Sequence, residues 1–271
     1  MDFIHRKLSS RKYVDLLKDS CSKWANWDPP KIIHVGDFGT IDRESGEFIH
    51  EGNVYTHPDL APIAHDHPVQ PTAEDDLLLI KSAYARRIEQ AVGVQGAALP
   101  ATAAVSIQVQ FMKRRGAFLV MHKARMSHLP DDLLNLLRAN SILKDKCLVS
   151  EVFLCRGYAQ YLSNRDNYTV TLALDSGAGA APISGGVNLV WNAQGAQGYL
   201  RHSYNENPVF SPLYGLKVFR SSWPVRREDF ELTAANGEWM DVGVPWDDLN
   251  ENGVEDMDTD EEENASEQAQ D

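Results

Sequence analysis

The sequence predicts an α+β fold in which helices surround a twisted antiparallel sheet. Apolar residues recur at helical spacing across residues 3–24. Apolar and polar residues alternate in three later segments, which indicates strands with one apolar and one polar face: 101–111, 166–174 and 185–192. Helices and strands do not follow each other with the regular rhythm of a parallel sheet, so we expect antiparallel hairpins.

The remaining elements follow from local signals. Pro29-Pro30 ends the first helix, because proline interrupts helical hydrogen bonding. Pro130, followed by two acidic residues, opens a second helix whose buried stripe lies in residues 133–137. Residues 77–92 fit either a helix or a long strand, because their apolar run has no clear period. Further strands are predicted at 147–162, 199–204 and 214–219.

The formal net charge of the 271-residue chain is −13, and it is concentrated at one end. Residues 241–271 contain 13 acidic residues and neither Lys nor Arg, which leaves 26 acidic and 26 basic residues in the rest of the chain. Dense charge with low hydrophobicity predicts disorder in that segment. The chain therefore divides into a domain at 1–225, a connecting segment at 226–240 and an acidic disordered tail at 241–271.

Basic residues form two groups along the otherwise neutral domain. The first lies on the N-terminal amphipathic helix, which could rest on an anionic membrane or be an ordinary surface helix: Arg6, Lys7, Arg11 and Lys12. The second flanks the alternating strands near the middle of the chain: Lys113, Arg114, Arg115, Lys123 and Arg125. Such a group could bind nucleic acid or anionic lipid headgroups, or could be scattered and solvated; the aromatic motifs of RNA-reading domains are absent.

The alternating strands allow two interpretations. One is a half-buried sheet in a soluble domain, which is the commoner case. The other is a latent transmembrane barrel, whose strands need about 9–11 residues with an apolar outer face. The residues that would face lipid in the second case are Val105, Ile107, Val109, Phe111, Val170, Leu172, Leu174, Val187, Leu189 and Trp191.

Catalytic motifs are lacking. The chain contains neither a Gly-x-Ser-x-Gly nucleophile motif nor a dinucleotide-binding glycine loop. His57, His65, Asp66 and His67 lie close together, but in a proline-rich segment without metal-site spacing. Three cysteines are read as reduced structural thiols. We therefore expect no enzymatic activity, no cofactor and no metal. No secretory signal is recognised, which predicts a cytosolic protein.

Several stretches resemble the gasdermin family. Residues 24–37 are similar to its passage from amphipathic helix through Trp and Pro to a short strand ending in Asp. Residues 122–125, the leucine-rich helix at 133–137 and the run 146–152 (Lys-Cys-Leu-Val-Ser-Glu-Val) resemble its strand, helix and strand ending in a valine-rich stretch. Residues 185–219 are similar to its second membrane hairpin and the segment that follows it. The likeness covers roughly residues 1–225.

The resemblance implies a pore-forming domain that binds acidic phospholipids and assembles into an oligomeric β-barrel. Arg6, Lys7, Arg11 and Lys12 would contact lipid, and hairpins at about 77–121 and 150–204 would enter the membrane. The large inhibitory domain of animal gasdermins has no counterpart here. The chain therefore looks like the short fungal gasdermins that cause lytic cell death in allorecognition, with co-assembly with an incompatible variant as the expected trigger. Cleavage of the short C-terminal segment, or a module that binds lipid or protein without inserting, are the alternatives.

Overall fold

Antiparallel strands make up most of the regular structure in the part of the chain that the computed structural model describes. That part comprises residues 2–88, 103–112, 114–138, 140–164, 167–176, 189–219 and 239–255. The helices are α1 (Asp2–Cys21), α2 (Ala61–Ala64) and α3 (Asp131–Leu136). A 3₁₀ turn covers Ser141–Leu143. The expected antiparallel sheet is present, but the described residues contain less helix than expected. Only α1 is long, with 20 residues, and the other two helices have 4 and 6.

The strands form two sheets. In chain order they are β1 (Trp24–Ala25), β2 (Asp37–Ile41), β3 (Phe48–Asn53), β4 (Gln70–Lys81), β5 (Ala85–Ile88), β6 (Ala103–Phe111), β7 (Ala117–His128), β8 (Cys147–Cys155), β9 (Gly157–Ser163), β10 (Tyr168–Ser176), β11 (Leu189–Gln194), β12 (Gly198–Tyr204), β13 (Phe210–Phe219) and β14 (Trp239–Asp241). The described part of the ambiguous segment at 77–92 therefore contains no helix and consists of the end of β4, a turn at 82–84 and β5.

The larger sheet is organised around β7. β8 and β9 follow each other with a break at Arg156, and both pair with β7: Met126 lies opposite Phe153, and Met121 opposite Tyr158. β13 and β12 pair with the far sides of β8 and β9. Among the described strands, β4 pairs with β7 alone, which makes β4 an edge of this sheet. Residues 70–76 of β4 are all exposed.

The first half of β7 is buried on both faces, which explains its uninterrupted apolar sequence. Leu119 and Met121 belong to a core that also contains Tyr13 and Leu17 of α1. Phe118 and Val120 point to the opposite side, into a second core. The larger sheet is therefore covered by α1 on one face and by the smaller sheet on the other.

The smaller sheet has the strand order β11-β10-β6-β5. β6 and β10 pair in the register expected from their alternation, with Ile107 opposite Leu172 and Val109 opposite Val170. Six apolar side chains of this pair are at most 2% exposed: Ile107, Val109, Phe111, Val170, Leu172 and Leu174. They pack against β7 and β9, and the ring centroids of Phe111 and Phe118 lie 6.1 Å apart. Each such side chain contributes about 1.5–3 kcal/mol by leaving water.

Those residues proposed from sequence to face lipid whose side chains the structure describes therefore lie inside a two-sheet sandwich in this state. Trp191 and Leu174 share this core with Phe111. The backbones of Val105 and Leu189 belong to β6 and β11, and Val187 lies outside the described residues. The half-buried sheet, the first of the two interpretations of the alternation, describes this state of the chain.

The acidic segment that follows β13 also differs from expectation. Residues 239–255, here called the strap, pack against the domain, although the sequence predicts disorder from residue 241. β14 pairs with β13, and Val242 donates a backbone hydrogen bond to the Leu216 carbonyl at 3.0 Å. Trp246 is 2% exposed, with its ring centroid 6.1 Å from that of Trp24. A few apolar side chains thus hold an otherwise acidic segment, which an averaged composition does not reveal.

Candidate functional site

The strap covers the middle of α1 and neutralises its cations. Arg11 is 7% exposed. Its Nη2 and Nε atoms donate to the Gly253 carbonyl at 2.6 and 3.2 Å, and Nη1 donates to Glu255 Oε1 at 2.9 Å. Arg43 donates to the other oxygen of Glu255 at 2.6 Å. One carboxylate of the strap therefore bridges two guanidinium groups of the domain.

Lys12 is held in a similar way. Its Nζ atom donates to the Leu249 carbonyl at 2.8 Å and lies 3.7 Å from Asp15. Asp15 in turn accepts a hydrogen bond of 3.2 Å from the indole N–H of Trp246. The guanidinium of Arg11 lies 5.9 Å from the Trp246 ring centroid, within the range of a cation–π contact. Lys12 and Arg11 are thus both turned toward the strap rather than toward solvent.

The approach of the strap to α1 requires glycine at one point. Gly253 has φ +82°, and a Cβ atom there would lie 2.4 Å from the Leu8 carbonyl oxygen. Any other residue would collide with the helix backbone and adopt a strained conformation. The contact between strap and helix is consequently close at the backbone level as well as between side chains.

The four predicted lipid contacts on α1 are therefore not equivalent. Arg6 is exposed, and Lys7 is half-buried beside Glu44, with 2.5 Å between the charged atoms. Arg11 and Lys12 are buried under the strap. Of these four residues on α1, only the two nearer its N-terminus have a side chain that reaches solvent in this state.

The second predicted group divides in two. Arg114 and Arg115 lie in the turn before β7, close to the strap, where the Arg115 Nη1 atom donates to the Glu251 carbonyl at 2.9 Å. Lys123 and Arg125 lie further along β7, where Lys123 forms ion pairs with Glu74 and Asp76 of β4. Arg125 is exposed, and Lys113 lies outside the described residues. The structure brings Arg114 and Arg115 to the same end of the molecule as α1, but not Lys123 and Arg125.

Two further findings concern metal binding and membrane-spanning helices. The described residues include no group of three or more His, Cys, Asp or Glu side chains that could hold a metal ion. His65 contacts Asp66 at the surface, whereas His57 packs edge-on against Phe38. No helix in this part of the chain is both long and apolar enough to cross a membrane.

Comparisons with known proteins identify no family for this chain, so the geometry of the strap and α1 is the main guide to its function. No family model matches the chain, and no curated protein matches it. Among solved structures, the cryo-electron microscopy structure of the gasdermin A3 membrane pore aligns over 90% of this chain and 97% of its own chain. The sequence identity is 10% and the TM-score is 0.28. A superposition at this score does not establish a common fold.

Sequence reasoning missed the residues that close the site. Glu255 and Gly253 lie in the segment predicted to be disordered, and Arg43 was not singled out. Trp246 was the available signal, because a large aromatic residue in an acidic segment is seldom left in solvent. The missed residues share one property, namely that their partners lie more than 200 positions away in the sequence.

The Glu255 carboxylate should make strap attachment sensitive to acid. Partial burial by itself would raise the pKa of Glu255, but the hydrogen bonds from Arg43 and the Asp247 N–H and the charges of Arg43 and Arg11 lower it below its ordinary value of 4.5. A carboxylate with a lowered pKa stabilises the folded state above its unfolded pKa, and this stabilisation is lost as pH falls through the folded pKa.

We expect Glu255→Gln to weaken strap attachment by about 2 kcal/mol at pH 7, the usual scale for a hydrogen bond to a charged group. The difference from the wild type should shrink as the pH falls from about 4.5 through the lowered pKa of folded Glu255, because only below that pKa is the side chain protonated in both the folded and the unfolded state. Hydrogen exchange of residues 239–255 across this pH range measures it. Glu206→Gln, an exposed acid outside the strap, is the control. A difference that stays constant with pH would contradict the assignment.

Proposed function

We propose that this chain is a pore-forming protein that binds acidic phospholipids and assembles in the membrane through its antiparallel strands. The observation that carries the proposal is the pair β6 and β10. Each has nine residues, the two pair without a register shift from Tyr168 to Leu174, and each has one apolar and one polar face. Nine residues is about the length of a strand that spans a bilayer. The resemblance of residues 1–225 to gasdermins supports the same conclusion.

Binding to the membrane is assigned to the basic surface at the α1 end. Arg6 and Lys7 make the first contacts with anionic headgroups, joined by Lys113, Arg114 and Arg115. Lys123 and Arg125 form a separate set on β7 that contacts lipid at a later stage. Arg11 and Lys12 become available only when the strap detaches, because its carbonyl groups and Glu255 now occupy them.

Assembly is assigned to the two hairpin regions, about 77–121 and 150–204. In the proposed pore they leave the sandwich and join those of neighbouring copies in a closed β-barrel, because open strand edges cannot face hydrocarbon. The face that now packs against β7 and β9 then contacts lipid. The resting protein is assigned to the cytoplasm and the assembled form to the cell membrane. The proposal includes no enzymatic activity, cofactor or nucleic acid.

The biological setting that we propose is lytic cell death in fungal allorecognition. Co-assembly with an incompatible variant is one trigger, and it follows from the family resemblance. Removal or release of the C-terminal segment is a second candidate trigger, and the strap over Arg11 and Lys12 favours it. A module that binds lipid or protein without inserting is the remaining alternative.

Dye release from liposomes tests the proposal. We expect slow release by the wild type from vesicles containing anionic lipid, faster release by Trp246→Ala, whose strap lacks its main anchor, and little release from neutral vesicles. Val254→Ala, which changes an exposed residue of the strap, should behave as the wild type. Mixing allelic variants tests the co-assembly trigger. Binding to anionic vesicles without release in every combination would overturn pore formation and favour the non-inserting module.

A further inference from the structure

A large cavity lies between α1, the turn before β7 and the strap. Its volume is about 1160 Å³. Pockets that hold small molecules commonly have volumes of about 300–1,000 Å³, so this one has room for an organic ligand. Tyr199 and Val254 on its wall are 42% and 43% exposed, which shows that the cavity opens to solvent.

One side of the cavity is cationic, although the protein as a whole is acidic. Lys12, Arg114 and Arg115 all contribute to its lining. The Arg115 side chain is fixed by a hydrogen bond of 2.5 Å to the Ser163 carbonyl and one of 2.9 Å to the Glu251 carbonyl. Burial lowers the pKa of Arg115, which means that its charge is only partly hydrated there. A bound anion would offset that cost.

The cavity already accommodates an anionic oxygen. The backbone N–H of Arg115 donates to Glu251 Oε2 at 3.0 Å. The Glu251 carboxylate reaches this position from the strap, which contacts Arg115 directly. The contact shows that the N–H of Arg115 can bind a negatively charged oxygen.

Aromatic and aliphatic groups form the rest of the lining. The guanidinium carbon of Arg114 lies 5.5 Å from the Tyr84 ring centroid, a distance that fixes its orientation through a cation–π contact. Tyr199 and Leu8 line the cavity nearby. A ligand that suits this lining carries an anionic head on a ring-containing or apolar body, rather than being a simple ion.

We propose that this cavity binds a phosphate monoester, with the phosphate on Arg114 and Arg115 and the organic body between Tyr84 and Tyr199. Guanidinium groups bind phosphate oxygens in pairs, which favours phosphate over a single carboxylate. Because the strap supplies part of the wall, the ligand binds the strapped form better than the open one and holds the strap in place. Arg114 and Arg115 are also proposed contacts for lipid headgroups, but this inference concerns a ligand of the resting, strapped form and does not depend on pore formation.

Calorimetric titration of the full chain tests binding. The probes are inorganic phosphate, adenosine monophosphate and a short-chain phosphatidic acid below its micelle concentration, which separate a free ion, a soluble ester and a lipid headgroup. We expect at least one ester to bind more tightly than inorganic phosphate. Arg114→Ala should weaken that binding at least about tenfold, the size expected on losing a charge-assisted hydrogen bond. Arg86→Ala, an exposed cation that does not line the cavity, is the matched control.

Three results would overturn the inference: no binding of any probe, equal binding of inorganic phosphate and the esters, or equal weakening by Arg114→Ala and Arg86→Ala. The last result would indicate non-specific attraction. Hydrogen exchange tests the coupling to the strap. Exchange of residues 246–255 should slow when the ester is bound, and faster exchange would show that the ligand displaces the strap instead.

Discussion

Trp246→Ala is expected to free the strap, including β14, while leaving the other strands of both sheets folded. The substitution removes a ring that is 2% exposed, its contact with Trp24 and its hydrogen bond to Asp15. Replacement of a buried Trp by Ala costs about 3–5 kcal/mol. Because the side chain anchors the strap rather than the sheets, we expect most of that cost in strap attachment. Exchange of the strap amides should become about 100-fold faster or more.

The control for this prediction lies on the same segment. Val254→Ala removes a side chain that is 43% exposed, so strap exchange should change little. Hydrogen exchange of β7 in Trp246→Ala should stay close to that of the wild type. If β7 and the strap became faster together, Trp246 would stabilise the whole domain and the strap would not be a separable unit. Unchanged strap exchange would show that the polar contacts alone hold it.

Ile107→Asp is expected to destabilise the folded chain by about 4 kcal/mol or more. Ile107 is 2% exposed and lies in the core between the two sheets. Its neighbours there are apolar, so a carboxylate would have to remain unpaired or take up a proton. Denaturant unfolding followed by fluorescence measures the loss. Leakage and lipid binding should therefore fall together.

Ser106→Asp places the same side chain on the exposed face of the same strand. We expect the free energy of unfolding to change by no more than about 1 kcal/mol. In the proposed barrel this face lines the water-filled interior, so dye release should also persist. A loss of stability as large as that of Ile107→Asp would contradict the assignment of the two faces.

Strands with one polar face could be predicted from the sequence. β6 is recognisable because Gln108 and Gln110 alternate with apolar residues, and β10 because Thr169 and Thr171 do so; the two strands pair. β4 was ambiguous at residues 77–80, because a continuous apolar run does not distinguish a helix from a strand. The order of strands in the sheets had no sequence signal. Pairings such as Phe210 with Cys155 join positions far apart in the chain.

Of the residues in the candidate site, the sequence predicts only the basic ones. The sequence predicts that Arg11, Lys12, Arg114 and Arg115 belong to possible anion-binding groups, and Lys12, Arg114 and Arg115 line one cavity. It places Glu251 and Glu255 in a disordered tail, because the average composition of that segment is acidic and polar. Partnership between Arg11 and Glu255 depends on the fold that brings residues 244 positions apart into contact. The local sequence pattern around either residue contains no information on such a pairing.

The open edge formed by β4 has a consequence for solubility. A long unpaired strand edge is a template on which a second chain can add a strand and begin aggregation. Here the exposed stretch carries Pro71, which lacks an N–H donor, and the consecutive acids Glu74, Asp75 and Asp76. Two copies meeting along this edge would bring their carboxylates together, and Lys123 on each copy offsets only part of that repulsion. Charge at this edge therefore opposes self-association of the resting chain, independently of whether the strap is closed.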